Sequence, residues 1–302
     1  MPNLNLTTTS NDKFIPEIIA NETLGALGNY LNLGRTVTKS NDLTTAQFGD
    51  LISVPKRGAV TASQKSQDSN VTKQNPTATN VTVSLDQHWE VTLGEEDFTK
   101  IMQQNGTVLP GYIEDAVIAL AEKIETKLAQ LHPSVLHTIT GANPVTLANI
   151  NAVRTRMALN KVPQLARKYA YLHPTVIEDL LNVTAFTDPK TIPTTDPLTA
   201  GAIGRLYNMD IFEGQLVQTS GSPVAYHNLI YTRNGMVLAT RPLPQIDPSL
   251  GVQSSSVVDE NGLALRVIRS YNADQLATQV TLDVVFGVAI LDDRQIVELE
   301  SF

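Results

Sequence analysis

An α+β fold is predicted by three features of this sequence. One long stretch, residues 111 to 131, is amphipathic at helical period; several shorter stretches alternate at period two; and the elements come in mixed order with no βαβα alternation. With 302 residues, 42% of them hydrophobic, the chain is long enough to bury a substantial core.

Residues 14 to 31, FIPEIIANETLGALGNYL, place Ile15, Ile18, Ile19 and Leu27 at roughly helical spacing, with Gly25 and Gly28 interrupting. This predicts a short or broken helix on a polar arm. Residues 48 to 60 and 81 to 93 then alternate, Leu51, Ser53 and Pro55 against Ile52 and Val54, and Val81, Val83 and Leu85 against Thr82 and Ser84, so two strands are expected. Between them runs ASQKSQDSNVTKQNPTATN, residues 62 to 80, whose only apolar members are Ala62, Val71 and Ala78. A hairpin needs only about two to five loop residues, so this ribbon is a long polar excursion.

GYIEDAVIALAEKIETKLAQL, residues 111 to 131, carries the strongest helical stripe: Ile113, Ala116, Val117, Leu120, Ala121, Ile124, Leu128 and Leu131. Pro110 precedes it and Pro133 follows it. At 1.5 Å per residue it should span roughly 30 Å. A second helix is expected from Thr146 to Asn160, with Leu147, Ile150, Val153 and Met157 on one side, then a strand from Lys168 to Leu172 and a short helix after Pro174. Residues 185 to 206 are rich in Thr, Pro and Gly and read as loop, with one helical turn near Ala200 to Leu206. Strands are expected at Asp210 to Val217, Ala225 to Tyr231, 263 to 272 and 279 to 291.

Composition excludes several classes of function. Lys+Arg 22 against Asp+Glu 30 leaves a net charge of -8, so the chain has no bulk attraction to nucleic acid or anionic lipid. It has no cysteine, which removes disulfides, thiolate nucleophiles and thiolate metal sites together. No run approaches the ~18 apolar residues of a membrane span.

No catalytic constellation emerges either, so no catalytic, cofactor or metal residue is expected. His88, His132, His137, His173 and His227 form no H-E-x-x-H array, and Pro133 separates His132 from His137. Gly25 with Gly28 and Gly201 with Gly204 lack the strand-turn-helix setting of a dinucleotide loop. Asp292-Asp293 and Asp259-Glu260-Asn261-Gly262 lack calcium-loop spacing. Glu95, Glu96 and Asp97 are the densest carboxylate run, but adjacent side chains point apart. They read instead as the acidic start of a helix continuing through Phe98, Ile101 and Met102.

The ordered set of parts resembles the major capsid protein fold of tailed double-stranded DNA bacteriophages. It comprises the polar arm with its short helix, the excursion introduced by GDLISVPKRG, the long spine helix and a mixed body. Similar body segments are RKYAYLHPTVIEDLL, GRLYNMDIFEGQLV and NLIYTRNGMVLATRPLP, the last resembling a strand that delivers a short helix ending at a basic residue and prolines. LALRVIRSYNADQLATQVTLDVVFGVAILDDRQIVEL resembles the closing strand pair.

That resemblance implies an N-arm at residues 1 to 47, an extended loop at 48 to 93, a peripheral domain at 94 to 145 and 263 to 302, and an axial domain at 146 to 262. It implies hexamers and pentamers of the chain in an icosahedral virion capsid, assembled in the host cytoplasm. The extended loop would lie across a neighbouring subunit, and subunit contacts are expected at Lys56, Arg57, Lys65, Lys73, Trp89, Phe14 and Ile18. Other implied partners are a separate scaffolding protein or none, because Met1 lies just before the arm, a portal at one vertex, weakly contacted packaged DNA and decoration proteins. No membrane partner and no enzymatic activity are implied. Lys65, Lys73, Asn70, Asn75 and Asn80 supply the residue types with which some relatives crosslink their loops, but such residues are common in any polar loop. The alternative with the same fold is the shell protein of a cellular nanocompartment.

Overall fold

A computed structural model describes residues 16–40, 51–56, 58, 60–74, 79–97, 109–141, 143–183, 204–247, 252–258 and 263–302. Helix α1 (Pro16–Tyr30) runs unbroken through Gly25 and Gly28, against the expectation of an interrupted helix. Its buried residues Ile19, Ala20, Leu24 and Leu27 seat it on the core, and this packing outweighs the poor helix propensity of glycine. A single turn, α2 (Leu33–Thr36), and strand β1 (Thr38–Ser40) follow.

The spine helix, α3 (Leu109–Ala129), buries Ala116, Val117, Leu120, Ala121, Ile124 and Leu128 on one face, as the periodicity requires. It stops two residues before the expected Leu131, and a 3-10 turn (His132–Ser134) carrying Pro133 takes the chain onward. Helices α4 (Leu147–Leu159) and α5 (Pro174–Leu181) lie where the sequence puts them. Thr146 and Asn149 close a reciprocal capping box at the start of α4.

Two larger sheets and a two-stranded hairpin complete the architecture. In the first sheet, β14 (Ala277–Ile290) is the central strand. Strand β4 (Gln87–Glu96) lies antiparallel along one of its edges. The other edge is shared by β13 (Ala264–Asn272), over the first half, and β11 (Met236–Arg241), over the second. Strand β12 (Gln253–Val258) extends the sheet beyond β13, and β1 pairs in parallel with β11.

The second sheet has the order β5 (Thr138–Thr140), β15 (Ile296–Ser301), β10 (Ala225–Thr232), β6 (Lys168–Leu172), β8 (Met209–Glu213), β7 (Arg205–Leu206), with β9 (Gln218–Ser220) also on β10. It is covered on both faces. Tyr171, Leu229, Tyr231 and Ile296 join the core of α1, α3 and the first sheet, while Ala170, Leu172, Ile230, Val297 and Leu299 pack with α4 and α5. Period-two alternation of side chains thus divides one sheet between two cores.

Four local expectations are corrected. The strand expected at 81 to 93 is two strands, β3 (Thr79–Ser84) and β4, because the first pairs with β2 (Leu51–Lys56) and the second with β14. Glu95 and Glu96 end β4, so the expected helix begins only at Asp97, while Phe98, Ile101 and Met102 lie outside the described residues. The segment around NLIYTRNGMVLATR is a strand, a turn and a strand, with no helix between, since β11 is held by β14 on one side and β1 on the other. Arg205 and Leu206 form a short strand where a helical turn was expected. Each sheet also mixes segments expected to fall in different domains, with β15 beside β10 and β11 beside β14.

Candidate assembly surfaces

The hairpin β2–β3 has a rooted end and a free end. At the root, Ile52, Val54 and Val83 turn inward and pack on Val237 and Ala239 of β11, with Leu85, Ala289 and Leu291 at the margin. Gly287 lies directly beneath, and any Cβ there would overlap the Ser84 carbonyl oxygen. Lys56 pairs with Asp292 at 3.2 Å, and the same carboxylate accepts from Arg294 at 2.9 Å and Gln295 at 3.0 Å. Burial works to raise the Asp292 pKa, but the hydrogen bonds from Arg294, Gln295 and Lys56 outweigh it and hold the carboxyl well below its ordinary range.

Beyond the root the chain is exposed without interruption from residue 60 to residue 74. Even Val60 and Val71 are 69% and 67% exposed, so among the described residues no hydrophobic core orders this segment. What ties it is polar. Gln74 bridges back to Thr61, accepting from its backbone N–H and donating to its carbonyl, and Ser69 donates from backbone and hydroxyl to the Ser66 carbonyl at 3.3 and 2.8 Å.

The expected contact residues divide accordingly. Lys65 and Lys73 stand exposed on the free end. Lys56 is engaged inside the subunit through Asp292. Trp89 is half-buried against the main core, donates from Nε1 to Gln87 at 3.3 Å, and has Lys123 Nζ at 5.2 Å from its ring centre. Arg57 and Phe14 lie outside the described residues; Ile18 lies on α1 with its side chain outside them.

Sequence reasoning missed the residue that fastens the arm. Glu125, only 4% exposed on the spine helix, accepts from the backbone N–H groups of Leu33 at 3.0 Å and Gly34 at 2.9 Å. These are orphan donors of the first turn of α2, which has no side-chain cap of its own. Burial pushes the Glu125 carboxyl up to about 7, against the pull of those N–H groups. The signal was present, since 125 is four residues past Ala121 and three before Leu128 and so belongs to the buried stripe. Thr36 and Tyr231 hydroxyls, 2.5 Å apart, add a second tie between arm and second sheet.

The fold also joins histidines that sequence spacing kept apart. His132 and His227 stack with centroids 3.9 Å apart, and their Nδ1 atoms lie 3.4 and 2.6 Å from Glu298 Oε1. Thr138 donates to Glu298 Oε2 at 2.8 Å, and the Ser220 hydroxyl lies 2.6 Å from His227 Nε2. With Nδ1–H donated to the carboxylate, His227 Nε2 accepts from Ser220, and the group reads as a closed hydrogen-bond network pinning the turn after α3 to the second sheet. Its residue types also suit a metal ion. However, rings only 16° from parallel aim their nitrogen lone pairs alongside one another, poor geometry for a shared ion.

By sequence the chain matches no protein-family model and no curated protein. By structure it is similar over nearly its whole length to a chain from Mycobacterium phage Che8, at 15% identity and TM-score 0.61, with 90% of each chain covered. The capsid of cyanophage P-SCSP1u is similar at 12% identity and TM-score 0.60, over 88% of this chain and 86% of that one. This is the phage capsid fold. The same capsid fold serves in the SrpI encapsulin complex of Synechococcus elongatus, which matches at 13% identity and TM-score 0.52 over 89% of this chain and 86% of that one.

Proposed function

We propose that the protein is the structural subunit of an icosahedral phage capsid, self-assembling as hexamers and pentamers around double-stranded DNA. The observation that carries the reading is the hairpin, rooted on the first sheet and exposed from residue 60 to residue 74. A segment that gains nothing by lying on its own subunit is suited to gain order on a neighbour. In this reading residues 1 to 47 are the arm, 48 to 93 the extended loop, 94 to 145 with 263 to 302 the peripheral domain, and 146 to 262 the axial domain. Lys65 and Lys73 of the loop reach the adjoining subunit, and scaffold, portal and decoration proteins complete the particle.

A nanocompartment shell is the second reading, favoured by the encapsulin likeness, though its TM-score of 0.52 is below the 0.61 of the Che8 chain. Electron microscopy of the purified protein separates them. Closed shells from phage-infected cells filled with DNA support the capsid, shells around protein cargo support the compartment, and small discrete oligomers refute both. Deleting residues 65 to 78 should leave a folded subunit that fails to close shells; normal shells from that variant would refute the role given to the loop.

A further inference from the structure

Although the chain carries a net charge of -8, one cleft brings together four of its 22 Lys and Arg residues. It lies between α1, α2, β1 and the β6 and β8 strands, encloses about 700 Å³, and is lined by Arg35, Lys39, Arg167 and Arg233 and, among the described residues, by no carboxylate. Arg167 is held from outside by Asp210, with Nε 2.6 Å from Oδ2. The side chains of Arg35 and Arg233 are exposed and make no hydrogen bond or ion pair among the described residues. Arg35 and Arg233, on a concave surface of low dielectric, focus a positive potential there.

The helical wall of the cleft points the same way. Gly25 and Gly28 of α1 line it, and a Cβ at either would meet nothing within 4 Å. Glycine is disfavoured inside a helix relative to alanine. No packing within the described subunit requires either one, yet together they leave the helix backbone bare on the side facing the cations.

We propose that this cleft binds backbone phosphates of a nucleic-acid strand, with Arg35 and Arg233 as the principal ligands and the two glycines allowing close approach. The inference rests on the reading that the shell encloses DNA. Guanidinium groups match phosphate oxygens in a two-pronged geometry. An acidic segment of a second copy is the less suitable occupant, because the densest carboxylate run is already engaged: Glu95 is buried, and Asp97 accepts from the Tyr271 hydroxyl at 2.7 Å.

The test uses the unassembled full-length subunit and fluorescence anisotropy with short single-stranded and duplex oligonucleotides, and with inorganic phosphate as competitor. Both oligonucleotides should bind at about 50 mM salt, and phosphate should displace them. The double variant Arg35→Glu with Arg233→Glu should weaken binding about tenfold or more and flatten the logarithmic salt dependence by about 1.4 for the single strand, two phosphate contacts' worth. Gly28→Gln, a change that favours the helix and retains every cation, should also weaken binding by filling the cleft, while circular dichroism shows the fold unchanged. Absence of binding, or equal affinity and salt slope in the double variant, overturns the proposal. So does a double variant that binds DNA normally but no longer forms shells, which would assign the cleft to a neighbouring subunit. Because binding is read before assembly, a wild-type protein that binds DNA yet forms no shells would refute the capsid function and leave the cleft's ligand standing.

Discussion

Replacing Glu125 by glutamine should change stability in a manner that depends on pH. Its carboxyl titrates near 4.5 in an unfolded chain and is pushed up to about 7 in the folded one, chiefly by burial. A carboxyl whose pKa rises on folding contributes its full stability below the unfolded value, and that contribution drains away as pH climbs through the folded value. At about 1.4 kcal/mol per pH unit, the roughly two-unit span from pH 5 to pH 7 corresponds to about 3 kcal/mol. The substituted amide would not titrate; it would keep an acceptor for one of the Leu33 and Gly34 N–H groups and turn an amide donor toward the other, at a cost of about 1 to 3 kcal/mol. Glu125→Gln should therefore be most destabilising at pH 5 and improve relative to wild type by about 3 kcal/mol at pH 8. Urea denaturation of both proteins at the two pH values measures this directly. A stability difference that does not move with pH would refute the buried, raised carboxyl as the fastener of the arm.

Three further outcomes follow from the same packing. Ile124→Asp, which places a charge at a fully buried position, should leave no folded subunit by circular dichroism, whereas Glu122→Ala on the exposed face should stay within about 0.5 kcal/mol of wild type. Gly287→Ala should cost about 1 to 3 kcal/mol and loosen the hairpin root, seen as faster proteolysis near residues 51 to 56, because the methyl group displaces the Ser84 carbonyl. Burial and the neighbouring His227 lower the His132 pKa despite the pull of Glu298, so the unfolded chain binds that proton more readily. Stability from this site is complete above about pH 6.5 and falls as pH drops below it. His132→Phe, which keeps a stacked ring, should accordingly lose less Tm between pH 7.5 and 5.5 than wild type; parallel losses would contradict the assignment.

Much of the architecture was legible because it depends on local pattern. The stripe from Ile113 to Leu128 marks a helix wherever that helix packs, since periodicity alone decides which side chains share a face. The strand at Lys168 to Leu172 and the helix after Pro174 were equally local, as was the polar ribbon, whose want of apolar residues told in advance that its own subunit would not cover it. The α+β class and the capsid resemblance came from the order of such parts.

What only the tertiary structure decided is pairing across distance. Alternation cannot say that Val81 to Ser84 joins β2 while Gln87 to Glu96 joins β14, because both runs obey one period and the partner strand selects between them. Glu125 showed itself as a polar residue on an apolar stripe, but its role required α2 to end up 91 and 92 residues away in sequence and a hydrogen bond away in space. His132, His227 and Glu298 came together only through the second sheet, and Arg35, Arg167 and Arg233 only where α2 meets β6 and β8. Sequence spacing governs what lies on one element; which elements face one another is set by the burial of their apolar faces together, and the polar groups carried along meet as a consequence.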